Sequence, residues 1–123
     1  MEWGWLLFSL EGRVGRMVWW SLVFAEVILS LMVVGIRAGM GAAARGGDTP
    51  GLGAASLLLF AFSAVVLIWP SVAISVKRWH DVDKSGWWIL AGAIPFVGWL
   101  AVLYFNGFAE GTRGSNRYGE PPE

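Results

Sequence analysis

The sequence predicts an all-α integral membrane protein with three transmembrane helices and an N-terminal interfacial segment. Three long apolar stretches dominate its 123 residues, at positions 17–36, 52–76 and 87–108. Each is long enough for a helix to cross about 30 Å of hydrocarbon at about 1.5 Å per residue. The composition agrees, because 56% of the residues are hydrophobic and 15% are charged, whereas soluble domains carry about 25% charged residues.

Four further segments flank these helices within a single domain. Residues 1–16 are rich in aromatic side chains but too short to cross, so we expect them to lie at headgroup depth. Residues 37–51 are rich in Gly and Ala, which predicts a flexible loop. Residues 77–86 are predicted to form a polar loop, and residues 109–123 a polar tail.

The third apolar stretch has two possible structures. Pro95 and Gly98 lie at its middle, so it forms either one kinked helix or a re-entrant hairpin that turns at 95–98. Broken backbone at membrane depth requires protein or water to satisfy its polar groups. This requirement favours the single span.

Charge and cysteine content exclude several classes of protein. Nine basic and nine acidic residues cancel, so no net charge points to a nucleic-acid partner. The absence of cysteine excludes disulfides, thiolate catalysis and cysteine metal sites. No cofactor and no metal ion are predicted. The expected partners are membrane lipids, another copy of the chain or a second membrane protein.

The basic residues predict the orientation in the membrane. With three spans, residues 1–16 and 77–86 share one face, which carries five of the basic side chains: Arg13, Arg16, Lys77, Arg78 and Lys84. The other four are Arg37, Arg45, Arg113 and Arg117. Basic residues are enriched in cytoplasmic loops, so the first face is predicted to be cytoplasmic. If the third stretch is a hairpin, Arg113 and Arg117 join the first face, which then carries seven of the nine basic residues.

Several of these cations are candidates for a site. Arg13 and Arg16 are three residues apart and would project from one side of a helix, while Lys77 and Arg78 end the second apolar stretch. Guanidinium groups suit phosphate oxygens. The four are therefore either charges that merely flank the spans or a pocket for a phosphate or lipid headgroup.

His80 is the single histidine and is followed by Asp81. An aspartate that orients an imidazole is typical of a general base, and the pair could also join a metal site. Side chains of adjacent residues rarely form such a bond, and two ligands are too few for a closed zinc site. We therefore prefer a structural network with Arg13, Arg16 or Arg78, and assign no catalytic or metal-binding residue.

Glu26 lies about ten residues into the first predicted helix, near the bilayer midplane. An ionisable side chain at that depth is a functional candidate by default. It serves either proton-coupled transport or a hydrogen bond to Ser56, Ser63 or a backbone carbonyl.

Three motifs carry a family resemblance. Positions 8–16 read FSLEGRVGR and are followed by Trp19-Trp20, positions 76–88 read VKRWHDVDKSGWW, and positions 114–119 read GSNRYG. They resemble the patterns F-x-x-x-G-R-x-x-R, R-R-L-H-D-x-G-x-S-G-W-W and G-x-N-x-Y-G of the DUF805 family of small bacterial inner-membrane proteins, whose function is unknown.

The resemblance covers nearly the whole chain apart from the Gly/Ala loop. It implies a multi-pass protein of the inner (plasma) membrane and no particular activity. It also implies a polar set made of Arg13, Arg16, Arg78, His80, Asp81, Ser85 and Asn116. Trp79 replaces a usual Leu, Asp83 a usual Gly, and Pro121 stands where Asp or Asn is common.

Three functions remain open from the sequence. The leading interpretation is a non-enzymatic module whose cytoplasmic-face polar cluster organises the fold and offers a site for an anionic lipid headgroup or a partner protein. The candidate residues of that cluster are Arg13, Arg16, Lys77, Arg78, His80, Asp81, Ser85 and Asn116. The second is an oligomeric transporter or channel subunit built around Glu26. The third is a membrane enzyme acting on a lipid or phosphate ester, with His80 as acid–base.

Overall fold

The computed structural model of the chain describes residues 2–47 and 51–122. All of its named secondary-structure elements are helical, and no β-strand forms among the described residues. Helix α1 is Trp3–Phe8, α2 is Arg16–Arg45 and α3 is Leu52–Asp81. Residues 48–50 of the predicted Gly/Ala loop lie outside the described residues, as do residues 1 and 123.

Helices α2 and α3 have the length and surface of membrane spans. Each has 30 residues, which corresponds to about 45 Å at about 1.5 Å per residue. In their most apolar stretches, 6% of α2 and 11% of α3 is buried inside the protein. Apolar helices that leave most of their side chains exposed require a hydrocarbon environment, which agrees with the predicted membrane class.

Both helices extend past the predicted apolar bounds. Helix α2 continues to Arg45 through residues assigned to the loop, because residues 37–45 include four alanines, the strongest helix formers. Helix α3 continues to Asp81 through the first half of the predicted polar loop. The polar residues 77–81 therefore form the last helical turns of α3.

The third apolar stretch is divided into short helical segments. A 3₁₀ helix spans Gly86–Ala93, the chain turns at residues 94–96, and α4 spans Val97–Val102 before a π-helical segment at Leu103–Phe108. Helix α4 packs back against the 3₁₀ helix, and the Trp99 indole donates to the Gly92 carbonyl at 3.0 Å. The stretch thus has the hairpin backbone that the sequence left as an alternative, and the favoured single helix does not form.

The chain divides into two compact units. One contains residues 1–23 and 69–123, and the other contains residues 24–68. The core of the first unit is a cluster of buried apolar side chains: Leu6, Val14, Trp19 and Ile74. This core joins the N-terminal segment, the start of α2 and the end of α3, which brings the polar residues of the first unit close together.

The hairpin turn depends on Gly98, which packs against the preceding helical segment. A Cβ at Gly98 would overlap the Ala91 carbonyl oxygen and lie 2.9 Å from the Ile94 Cβ. We expect Gly98→Ala to destabilise the protein by about 1–3 kcal/mol, the usual cost of overpacking, measured by thermal unfolding in detergent micelles. Gly92→Ala is the matched control, because its Cβ would meet the Val102 Cγ2 at an ordinary 3.8 Å. Equal melting temperatures for the two variants would contradict the tight hairpin.

Candidate functional site

Asp81 is the centre of a buried charge cluster at the end of α3. Its Oδ1 lies 3.0 Å from Arg13 Nη2 and accepts from Arg13 Nε at 3.1 Å, while its Oδ2 accepts from Arg78 Nη1 at 2.8 Å. All three side chains are at least 96% buried. One carboxylate therefore neutralises one of two guanidinium charges, and the remaining positive charge must be stabilised by dipoles.

Backbone carbonyls supply those dipoles around Arg13. The Nη1 atom donates to the Gly114 and Gly119 carbonyls at 2.8 and 3.2 Å, and Nη2 donates to the Thr112 and Asp81 carbonyls at 2.6 and 3.5 Å. Together with the bond to the Asp81 carboxylate, these contacts use all five N–H groups of the guanidinium. Arg13 has no donor left for a ligand.

Arg78 joins the same cluster to the end of the third apolar stretch. Its Nε donates to the Asn106 carbonyl at 2.7 Å and its Nη2 donates to the Ala109 carbonyl. The Asn106 side-chain amide is buried without a hydrogen-bond partner among the described residues. The cluster therefore uses the Asn106 backbone and not its side chain.

Gly111 allows the tail to cross directly over Asp81. A Cβ at this position would overlap the carboxylate, and the next residue, Thr112, donates its N–H to the Asp81 carbonyl at 2.7 Å. The tail can reach both arginines because it passes this close to the carboxylate.

Lys77 anchors α1 instead of joining the charge cluster. Its Nζ donates to the Trp5 and Leu6 carbonyls at 2.6 Å each and lies 4.3 Å from the centroid of the Trp5 ring. These carbonyls belong to the last turn of α1, where the negative end of the helix dipole also favours a cation. Lys77 is fully buried, so this contact replaces hydration of the ammonium group.

His80 and Asn116 hold the tail to the same helix end. His80 Nδ1 lies 3.0 Å from the Gly12 carbonyl and donates to it, and the imidazole stacks on the Tyr118 ring at 3.8 Å. Asn116 Nδ2 donates to the His80 carbonyl at 2.9 Å. The Asp81 carboxylate faces the two arginines, so it does not orient the imidazole as a general base would require.

Three predicted site residues lie outside this cluster. Arg16 is exposed and donates to the Phe108 carbonyl at 3.0 Å. Ser85 is half-buried and lines an open apolar cavity of about 330 Å³ beside Trp87 and Trp88. Glu26 is half-buried on α2, has a partner, and belongs to the other compact unit. The expected Arg13–Arg16 helical pair does not form, because α2 begins at Arg16 and Arg13 precedes the helix.

The sequence did not predict a second, exposed ion pair, which joins the tail to the segment directly after α3. Arg117 donates from Nε to the Asp83 Oδ1 at 3.2 Å and from Nη2 to the Asp83 carbonyl at 2.8 Å. The carboxylate raises the pKa of Arg117, first through this hydrogen bond and then through its charge. Among the described residues no group of three His, Asp or Glu side chains is placed to hold a metal ion. The departure of Asp83 from the family's usual glycine was the available signal for the pair.

The three motifs of the sequence thus meet in one compact unit. A comparison with known families identifies the same family that these motifs resemble. A family model described as a protein of unknown function (DUF805) matches residues 7–120. The chain belongs to the DUF805 family.

Relatives of this DUF805 protein occur in Escherichia coli K-12. The inner membrane protein YhaI is 35% identical over 115 residues, which cover 94% of this chain and 86% of YhaI. The inner membrane protein YhaH is 31% identical over 115 residues, covering 94% of this chain and 88% of YhaH. The uncharacterized protein YiiR is 28% identical over 141 residues, covering 93% and 86%. No solved structure matches the chain significantly.

These comparisons confirm the predicted location. The DUF805 protein is a multi-pass protein of the bacterial inner membrane, because its relatives YhaH and YhaI are inner membrane proteins and it has apolar helices long enough to cross.

The buried and exposed aspartates of this DUF805 protein provide a matched test of the cluster. Asp81→Asn leaves two buried guanidinium groups without a counter-charge, so we expect a loss of about 3–5 kcal/mol in the free energy of unfolding. Asp83→Asn removes an exposed pair and should cost about 0–1 kcal/mol. Denaturation in mixed detergent micelles measures both. Similar losses for the two variants would contradict the central role of Asp81.

Proposed function

We propose that this protein is a non-enzymatic module of the inner membrane in which the Arg13–Asp81–Arg78 cluster organises the fold at the cytoplasmic face. The observation that carries the proposal is the guanidinium of Arg13, whose five N–H groups all bind Asp81 or tail carbonyls. A site that binds substrate needs donors that are free in the resting protein, and this side chain has none.

The contacts of His80 and Asp81 also favour a structural role over catalysis. The imidazole is engaged by Gly12 and Tyr118, and the carboxylate by two arginines. An acid–base pair would place the carboxylate on the imidazole. The enzyme hypothesis therefore has less support than the structural module.

The contacts of the tail support a topology with both ends of the chain on one face. The tail binds Arg13 and His80, and Arg13 precedes α2 while His80 lies in the last turn of α3. If α2 and α3 both cross the bilayer, the third apolar stretch must be re-entrant for the tail to return to this face. Seven of the nine basic residues then lie there, and the positive-inside rule makes that face cytoplasmic.

Anionic lipid headgroups would meet the exposed cations of this face instead of the buried cluster. Arg16 is exposed, and Lys84 lies 4.9 and 5.0 Å from the centroids of the Trp88 and Phe105 rings. Juxtamembrane cations attract anionic lipids by about 1 kcal/mol each. Lipid contact here is general surface attraction around a structural core.

Arg13→Lys tests the fold-organising role. Lysine keeps the charge but has three donors on one atom, so it loses at least two charge-assisted hydrogen bonds and about 3 kcal/mol of stability. Thermal unfolding should show the loss, and trypsin should cleave faster after Arg117 because the tail is released. Arg113→Lys is the control, since Arg113 is 93% exposed and keeps a tryptic site. The proposal fails if Arg13→Lys melts and is cleaved like the parent.

Cysteine labelling tests the topology in intact cells. The chain has no cysteine, so single Ser85→Cys and Ser115→Cys variants report one position each to a membrane-impermeant maleimide. We expect both to be protected until the cells are permeabilised, while Ala43→Cys, in the C-terminal part of α2, reacts from outside. Opposite accessibility of positions 85 and 115 would instead establish a third full span.

A further inference from the structure

A polar groove lies between the C-terminal part of α2 and the first turns of α3, within the unit formed by residues 24–68. Its volume is about 400 Å³. It is lined by two arginines, a buried serine and three small or apolar residues of α2: Arg37, Arg45, Ser56, Val34, Ala38 and Gly41. We call it the Arg37–Arg45 groove.

Local contacts orient both guanidinium groups along this groove. Arg37 Cζ lies 5.4 Å from the centroid of the Phe60 ring of α3, a cation–π contact. Arg45 is in the last turn of α2, and its Nη1 would lie 3.6 Å from a Cβ at Gly41. The Arg45 side chain therefore folds back by about one helical turn, towards Arg37.

The groove is positively charged, because none of the described residues that line it carries a carboxylate. Neither Arg37 nor Arg45 forms an ion pair in the part of the chain that the structure describes. The start of α3 at Leu52 adds the positive end of its helix dipole beside them. Two like charges that share one groove repel each other unless an anion lies between them. Guanidinium groups match phosphate oxygens in shape and hydrogen bonding.

The depth of the groove indicates where such an anion comes from. Arg37 directly follows the apolar residues 17–36, so it lies where α2 leaves the hydrocarbon. Arg45 is eight residues further, or about 12 Å along the helix axis. This interval covers the headgroup layer, which is about 5–8 Å thick on each side.

We propose that the Arg37–Arg45 groove binds the phosphate of an anionic lipid headgroup. The two guanidinium groups hold the phosphate oxygens, and the acyl chains run along the exposed apolar surface of α2. Free phosphate has the same chemistry and is the alternative source of the anion. The proposal goes beyond the function proposed above and uses none of the residues of the Asp81 cluster.

Competition between lipids tests this site in the full chain. Protein in mild detergent is equilibrated with equal amounts of phosphatidylglycerol and phosphatidylcholine, and the bound lipids are counted by native mass spectrometry. We expect phosphatidylglycerol to be preferred. Arg37→Gln and Arg45→Gln should each lower that preference by roughly fivefold, and the double variant by about 25-fold.

The control removes the same amount of charge elsewhere. Arg113→Gln/Arg117→Gln takes two exposed cations from the tail that are already paired with Glu110 and Asp83, so it should leave the preference unchanged. Excess inorganic phosphate is the second arm. Displacement of phosphatidylglycerol by phosphate supports the groove with recognition of the phosphate alone, whereas retention supports recognition of the whole lipid. An equal preference in the Arg37/Arg45 double variant and the parent overturns the proposal, as does an equal loss in the tail control.

Discussion

The structure depends on the burial of one carboxylate between two arginines at the end of α3. Removing Asp81, Arg13 and Arg78 from water is costly, and their mutual attraction offsets that cost only when the remaining donors are also bound. One carboxylate cannot satisfy two guanidinium groups, so backbone carbonyls must surround them. Those carbonyls come from the tail and from the end of the third apolar stretch. Burial of this single charge therefore fixes where distant parts of the chain lie.

That constraint explains the broken third apolar stretch. A continuous helix over positions 87–108 would carry the tail about 30 Å away from the start of the stretch, and Arg13 and Arg78 would lose the carbonyls that they bind. The turn at residues 94–96 returns the chain, and Phe96 with φ of 60° adopts the left-handed backbone that the turn requires. Its conformational strain is offset by the hydrogen bonds that the returning chain makes with the buried arginines.

The sequence predicted the membrane class, because apolar length is a local property, and it marked Arg13, Arg78 and Asp81 as candidates for a polar cluster. It did not predict the pairing. Arg13 and Arg16 are equivalent by residue type, yet Arg13 precedes α2 and is buried, while Arg16 begins the helix and is exposed. The acceptors of Arg13 are mostly backbone carbonyls, which every residue carries, so residue type does not identify them, although Gly114 and Gly119 belong to the third motif. The extension of α2 to Arg45 differs from the predicted loop for another reason, because the helix propensity of the four alanines outweighs that of the glycines in residues 37–45.

The arrangement separates structural charge from charge that is available to a ligand. Arg13, Arg16, Lys77 and Arg78 were the candidates for headgroup binding from the sequence, but Arg13, Lys77 and Arg78 are buried and bind carbonyls of the protein itself. A cation that completes the fold cannot be withdrawn to bind a ligand without exposing a buried partner. Ligand recognition must therefore rest on cations whose removal leaves the core intact. By this criterion Arg37 and Arg45, in a segment predicted to be a flexible loop, are better candidates for anion binding than the residues of the family motifs.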